Sequence, residues 1–386
     1  MYFVLFTINI ICVKVLFLFT YGTSLKNWKD SGYLPRELNF FESINKKYGT
    51  SFIFLTFGDD KDENILNNDF INILPVYKFL NKKKNKLHNT INLILNLKTL
   101  FRKLNIEFDL IKTNQLFGAW IAIFIKRFSK KPLIIRTGYD LFLFSRKDKK
   151  NIFKTFLYYL LTFICLNIST LYTVTSENDY RFIKKRYIFK KDKLKIRRNW
   201  VVEGVSKNIN QSTIIKKRNL VTVGRLEHQK DYHYLINTFS NSEYFLDVIG
   251  SGTLDRELRS LSSSNVNFVG NMNFEDLNSL YEDYLFYVSA TNYEGNPKSI
   301  LEAMSKGCIV IAPDIPNVTE IIENNENGII YNKLSDNLIE IIENLKNDIT
   351  KLNNISTKAV EHVKLNNSLN LAIENEHKDY QYVLSK

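Results

Sequence analysis

The chain has 386 residues, 45% of them hydrophobic, and 53 Lys+Arg against 40 Asp+Glu give it a net charge of +13. That length requires two cores rather than one. The composition excludes a disulfide scaffold and a Cys/His metal centre: Cys12, Cys165 and Cys308 lie far apart in apolar runs, and the five histidines are scattered without an HExxH-like pair.

The charge is unevenly spread. Residues 1–199 carry 36 basic and 15 acidic side chains, net +21, and the remainder 17 and 25, net −8. An A+T-rich genome would also load a chain with Lys, Asn and Ile, but such a bias should load both halves alike. A half this basic prefers anionic partners: nucleic acid, anionic lipid headgroups or a phosphorylated acceptor.

Residues 1–20 are apolar, but Lys14 inside the run disfavours a membrane span and no basic flank or small-residue cleavage site is present. Val15 to Thr20 reads instead as a first parallel strand ending in the turn Tyr21-Gly22-Thr23-Ser24. Residues 1–12 form an extension that this strand does not need, and a start at Val13 is preferred over a short hydrophobic anchor.

Short apolar runs separated by helical patterns then predict strands at Ser51 to Phe57, Ile71 to Leu74, Phe108 to Lys112, Leu133 to Arg136, Leu171 to Thr175 and Lys195 to Trp200. Helices are predicted at Leu34 to Lys47, Leu87 to Leu104, Phe117 to Phe128 and Ile152 to Ile168, the last as a core helix. Val201 to Arg218 reads as a polar, basic linker. The alternation resumes with strands at Leu220 to Val223, Phe245 to Ile249, Val266 to Val269, Leu285 to Ser289, Ile309 to Ala312 and Gly328 to Tyr331, and a helix at Leu369 to Leu384 closes the chain. The fold class is therefore α/β, with two Rossmann-like domains whose parallel sheets face one another across a cleft, ligands being expected at the carboxyl ends of the strands.

The chemistry concentrates in the second half. Glu294-Gly295-Asn296-Pro297-Lys298-Ser299-Ile300-Leu301-Glu302 follows a predicted strand, and Pro297 suits the first turn of a helix running to Lys306. The amides of Lys298 and Ser299 then sit at a helix N-terminus, whose free N–H groups and partial positive charge suit a diphosphate. Glu294, before the helix, and Glu302, inside it, can reach different parts of one extended ligand: a sugar and a ribose diol. Upstream, a strand ends at Gly224, and Arg225 and Lys230 follow five residues apart, a guanidinium fork and an ammonium point charge that together can hold a pyrophosphate. A further strand ends at Gly250-Ser251-Gly252, which by itself is weak evidence for a dinucleotide fold.

Taken together, VGRLEHQKD, DVIGSGTLDREL, VNFVGNM and EGNPKSILEAMSKG, in this order and spacing, resemble the nucleotide-sugar-binding half of glycosyltransferase family 4 with its Glu-x7-Glu signature; the likeness spans about Leu220 to Tyr331. The first half resembles the family more loosely, in TYGTSLKNW, RTGYD, TSENDY and RRNWV. The resemblance implies a GT-B fold and metal-independent, retaining transfer from a nucleotide-diphosphate sugar, which is a substrate and not a cofactor. It implies an acceptor-binding domain at 13–200, a linker at 201–218, a donor-binding domain at 219–365 and a closing helix at 366–386 that returns to the first domain.

By position, Arg225 and Lys230 would neutralise the diphosphate, Glu294 would face the donor sugar and Glu302 the ribose. Gly224, Gly250, Gly252, Gly295, Asn296, Pro297, Lys298 and Ser299 would complete the donor site, Met272 would meet the base, and Gly22 would let the acceptor loop approach the phosphates. Many family members carry a histidine near the reaction centre. Here His88 lies in a Lys-rich stretch, so Arg136 and Tyr139 stand in for it on the acceptor side. Asn296-Pro297-Lys298 replaces the common Phe-Gly-Leu, which bears on the donor sugar.

The acceptor implied is a glycan or a lipid-linked sugar, in cell-surface polysaccharide or glycolipid synthesis. The place implied is the cytoplasm, peripherally on an anionic inner membrane face reached through Lys82-Lys83-Lys84 and Lys147, Lys149 and Lys150, with no nucleic acid. The alternatives are a nucleotide-sugar epimerase of the same fold, which would need an acid/base set, and a non-enzymatic anionic-polymer binder, which leaves the second half unexplained. A nicotinamide enzyme would need GxGxxG, and a metal-dependent transferase would use Asp60-Lys61-Asp62.

Overall fold

The computed structural model describes residues 12–148, 151–211 and 218–386; residues 1–11, Lys149 and Lys150 of the predicted basic cluster, and 212–217 of the predicted linker lie outside the described residues. The first sheet contains β1 Lys14–Leu18, β2 Ser51–Thr56, β3 Ile71–Pro75, β4 Leu110–Thr113, β5 Leu133–Arg136, β6 Leu171–Val174 and β7 Leu194–Ile196, in the order β3-β2-β1-β4-β5-β6-β7. The second contains β8 Arg218–Val223, β9 Leu246–Ile249, β10 Val266–Gly270, β11 Tyr284–Val288, β12 Ile309–Pro313 and β13 Ile329–Tyr331, in the order β10-β9-β8-β11-β12-β13. Every pairing is parallel; Val15, for example, lies between Phe52 and Leu110. Helices cover both faces of such sheets, which is why β11, Tyr-Leu-Phe-Tyr-Val, is buried along its whole length.

In both sheets the strand order reverses beside the first strand, between β1 and β4 and between β8 and β11. A crevice opens at such a switch point, at the carboxyl ends of the strands. The two crevices meet. Two chain crossings join the domains side by side: Val201 N–H donates to the Asn367 carbonyl (3.0 Å), and the Asn367 amide donates to the Asn199 carbonyl (2.7 Å). The last helix, Leu369–Leu384, packs Ile373, Tyr380 and Val383 into the first domain's core. Charge fixes it there, with Asp379 2.6 Å from Arg197 and 3.2 Å from Lys195, and Glu376 paired to the buried Lys112.

Three departures from the sequence reading have local causes. β7 stops at Ile196 because Asn199 turns away to bond the second domain. Residues 201–211 run along that domain: Ile209 is buried in its core and Lys207 Nζ donates to the Tyr281 carbonyl at 2.8 Å. The helix Ile152–Ile168 has the predicted bounds but is not a core helix. Thr162, Cys165 and Leu166 are its buried residues, and a row of large apolar side chains faces outward.

Candidate active site

The interdomain cleft encloses about 860 Å³ and is lined from both sheets. From the second domain come Gly224 and Arg225 after β8, Gly250 and Gly252 after β9, Met272 after β10, and Glu294 to Ser299 with Glu302 after β11. The helix on this wall is Lys298–Ser305. Pro297 is its N-cap rather than its first turn and makes no side-chain cap. The first amides of this helix therefore keep their partial positive charge for a ligand. The Ser299 hydroxyl accepts from Tyr287 (3.0 Å), which fixes its position.

Backbone crowding demands glycine at three cleft positions, one of them Gly252, where a Cβ would lie 2.3 Å from the Leu226 carbonyl oxygen. A Cβ at Gly250 would lie 2.0 Å from the Gly224 carbonyl oxygen, and one at Gly295 2.2 Å from that of Gly138 in the other domain. The β8 and β9 loops are thus pressed together under the cleft, and the Glu294 loop is seated on the first domain.

Glu294 is buried and paired with Lys230, while Gln229 Nε2 holds the adjacent Tyr293 carbonyl at 2.8 Å. Arg225 is exposed on the cleft wall. Glu302 does not stand open. Arg36, from the helix Leu34–Tyr48 of the first domain, reaches it at 3.3 Å and also binds Glu37 at 3.0 Å. Lys298 Nζ in turn lies 3.2 Å from Glu37. These groups shift one another. Burial pushes the Glu37 carboxyl up, but Lys298, Arg36 and Arg136 outweigh it and bring the pKa down to about 2. Burial, reinforced by Arg36 and Arg136, lowers the Lys298 ammonium to about 8 against the pull of Glu37, and burial raises Glu302 despite Arg36 and Lys298.

From the first domain, Arg136 and Tyr139, the residues expected on the acceptor side, both line the cleft. Arg136 donates to the Asn199 side-chain oxygen (2.8 Å), and Asn199 donates to Asn296 from its backbone N–H (2.8 Å) and its side chain (2.6 Å). Asn296 is therefore held in the joint between domains. Tyr139 stacks on Phe144 with ring centroids 4.3 Å apart. Gly22 is in the turn after β1 with φ +83° and is not among the residues lining the cleft; His88 is exposed on a helix away from it. Lys147 lies 5.3 Å over the Tyr293 ring, at the domain joint.

Asp60-Lys61-Asp62, the motif that a metal-dependent transferase would use, forms a short 3-10 turn. Asp62 is buried and accepts from Leu25 N–H (2.9 Å), Lys26 N–H (3.0 Å) and Thr56 Oγ1 (2.6 Å), so it caps a helix. Among the described residues no group of three or more His, Cys, Asp or Glu side chains could hold a metal ion. Sequence reasoning missed Arg36, Glu37, Lys112 and Glu376. Arg36, Glu37 and Glu376 lie on amphipathic helices, where a charged residue carries no local sign that it faces a cleft, and Lys112 is a single lysine within strand β4.

The family model described as Glycosyl transferases group 1 matches residues 205–362. The GtfA subunit of the UDP-N-acetylglucosamine–peptide N-acetylglucosaminyltransferase of Streptococcus agalactiae is 31% identical over 121 residues, covering 29% of this chain and 24% of that protein. An uncharacterized glycosyltransferase of Haemophilus influenzae is 26% identical over 147 residues, 35% of this chain and 40% of the relative. The chain thus spans less than half the length of these curated relatives. Among solved structures, Anabaena Alr3699/HepE in complex with UDP and glucose superposes with a TM-score of 0.72 at 17% identity, covering 96% of this chain and 99% of that one. Sucrose-phosphate synthase from Thermosynechococcus elongatus gives 0.79 at 13% identity, covering 97% and 99%. The fold is GT-B, as the two facing parallel sheets and these neighbours establish.

Proposed function

We propose that the chain is a retaining, metal-independent glycosyltransferase that moves a sugar from a nucleotide-diphosphate donor onto a glycan or lipid-linked acceptor at the cytoplasmic face of a membrane, in surface polysaccharide or glycolipid synthesis. The observation that carries this reading is the second domain's cleft wall, where Arg225, Lys230 and the uncapped amides of the Lys298–Ser305 helix converge beside Glu294. Cations and helix amides suit a diphosphate, and a carboxylate among them suits sugar hydroxyls. The acceptor would lie against the first domain, near Arg136 and Tyr139.

In this mechanism the acceptor hydroxyl oxygen bonds to the anomeric carbon on the face the diphosphate leaves. The bond from that carbon to the phosphate oxygen breaks, and a departing phosphate oxygen takes the hydroxyl proton. The products are the glycosylated acceptor and the nucleoside diphosphate. Stabilising the leaving group is the main catalytic effect, and Arg225, Lys230 and the helix end supply it. Donor entry requires Glu294 to share Lys230 with phosphate, and requires Arg36 to make room at Glu302 for ribose hydroxyls.

A thermal-shift screen with UDP, GDP, ADP and CMP tests the donor site. One nucleotide should stabilise selectively, by roughly 2.7 kcal/mol at a hundredfold excess over its Kd. UDP, present in the similar Anabaena structure, is the first to try. Equal indifference to all four would remove the donor site. Transfer should also persist in EDTA; a loss that manganese restores would reject the metal-independent mechanism.

A further inference from the structure

The helix Ile152–Ile168 turns an apolar face to solvent. Ile152, Phe153, Phe156, Leu157, Leu160 and Phe163 are all exposed, Ile152 by 87% and Phe153 by 69%, and from Phe153 on they follow the spacing of one helical stripe. Beside the helix's last turn Ile188 is 86% exposed, its carbonyl accepting from the Asn167 side chain at 3.2 Å. A face this apolar on one element is far more than scattered surface hydrophobics provide.

Its surroundings are basic. Lys154 is exposed on the same helix, and at its C-terminal end Lys193 Nζ caps the Asn167 and Ser169 carbonyls (2.9 and 3.1 Å). Lys126, bonded to Thr170 (3.4 Å), and Lys190 stand close to it: burial, with repulsion from both, lowers the Lys193 ammonium against the pull of Asp192, the acidic neighbour at this end. From Lys149 to Ser176 the sequence contains no acidic residue. A helix of 17 residues is about 25 Å long, and among the described residues no helix is long and apolar enough to cross a membrane. An apolar stripe with cations at its flanks fits the boundary between headgroups and acyl chains, the helix lying in the plane.

We infer that the outer face of the Ile152–Ile168 helix, with Ile188 and the lysines at its ends, is the docking surface by which this protein lies on an anionic lipid bilayer. The face is one helix from the cleft. Phe142 of the helix Leu141–Lys147 packs on Tyr159 (5.4 Å), and Phe144 of the same helix meets Tyr293 (4.9 Å) and Tyr139 at the cleft. A bilayer here sits beside the acceptor side, and that relation rests on the transfer reading above. Of the lysines read from sequence, Lys147 covers Tyr293, and Lys149 and Lys150 lie outside the described residues.

The test is co-sedimentation of the full chain with vesicles of phosphatidylcholine alone and of phosphatidylcholine with phosphatidylglycerol. Wild type should bind the anionic vesicles and keep part of that binding at about 1 M salt, where the Debye length is about 3 Å. The triple variant Phe153→Ser, Phe156→Ser, Phe163→Ser should partition at least about tenfold more weakly, with nucleotide binding unchanged. Should that variant misfold, Ile152→Asn with Ile188→Asn serves as the second probe. Equal binding by wild type and variant, or loss confined to Gln variants of Lys82, Lys83 and Lys84, would overturn the proposal. So would failure to bind vesicles together with a dimer that the triple variant splits, which would make the face a protein interface. Nucleotide binding is read separately, so failure of the donor site and failure of the docking face are distinguishable.

Discussion

Arg225→Ala should lower kcat on the order of a hundred- to a thousandfold, the usual cost of removing one preorganised group that stabilises developing charge, while stability stays within about 0.5 kcal/mol of wild type. The contrast follows from the side chain's place. Arg225 is exposed on the cleft wall, so truncation removes a guanidinium from the proposed donor site and leaves the core intact. Glu294→Gln should abolish transfer to a similar degree with the fold retained, since glutamine preserves the shape beside Lys230 and removes the carboxylate. Initial-rate kinetics with a saturating donor, alongside thermal unfolding, check both. Normal turnover in either variant would take that residue out of the reaction.

Glu37→Gln should cost on the order of 2 to 3 kcal/mol of stability at neutral pH, because Glu37 ties Lys298 of the second domain to Arg36 of the first. The effect has a pH signature. The native carboxyl has a pKa of about 2 against an ordinary value of 4.5, so its contribution is complete above pH 4.5 and disappears as pH falls from there through about 2. Denaturant unfolding of wild type and variant across that range should show a gap that closes on the acid side. A gap of constant size would mean that Glu37 acts through packing and not through its charge. The same experiment bears on donor entry, because Arg36 is shared between Glu37 and Glu302.

The strand and helix alternation was determined by the sequence alone. A strand buried on both faces must be a short apolar run whatever surrounds it, so all thirteen described strands overlap the predicted runs, and Ile152–Ile168 and Leu369–Leu384 carry the predicted bounds. The second domain's cleft-lining residues were legible for a related reason: Gly224, Arg225, Gly250, Glu294 and the start of the Lys298 helix follow strand ends, where local order fixes direction. What the tertiary structure decided depends on residues far apart in the chain. Arg36 meets Glu302 across 266 positions, Lys112 meets Glu376 across 264, and Asn199 joins Asn296 across 97. Nothing in the helix around Arg36 distinguishes a side chain in a cleft from one in water. Likewise, the helix at 152–168 is apolar almost all round, so its periodicity could not say which side would be covered; only its packing, with Cys165 and Leu166 inward and Phe153 and Phe156 outward, shows that one face is left bare.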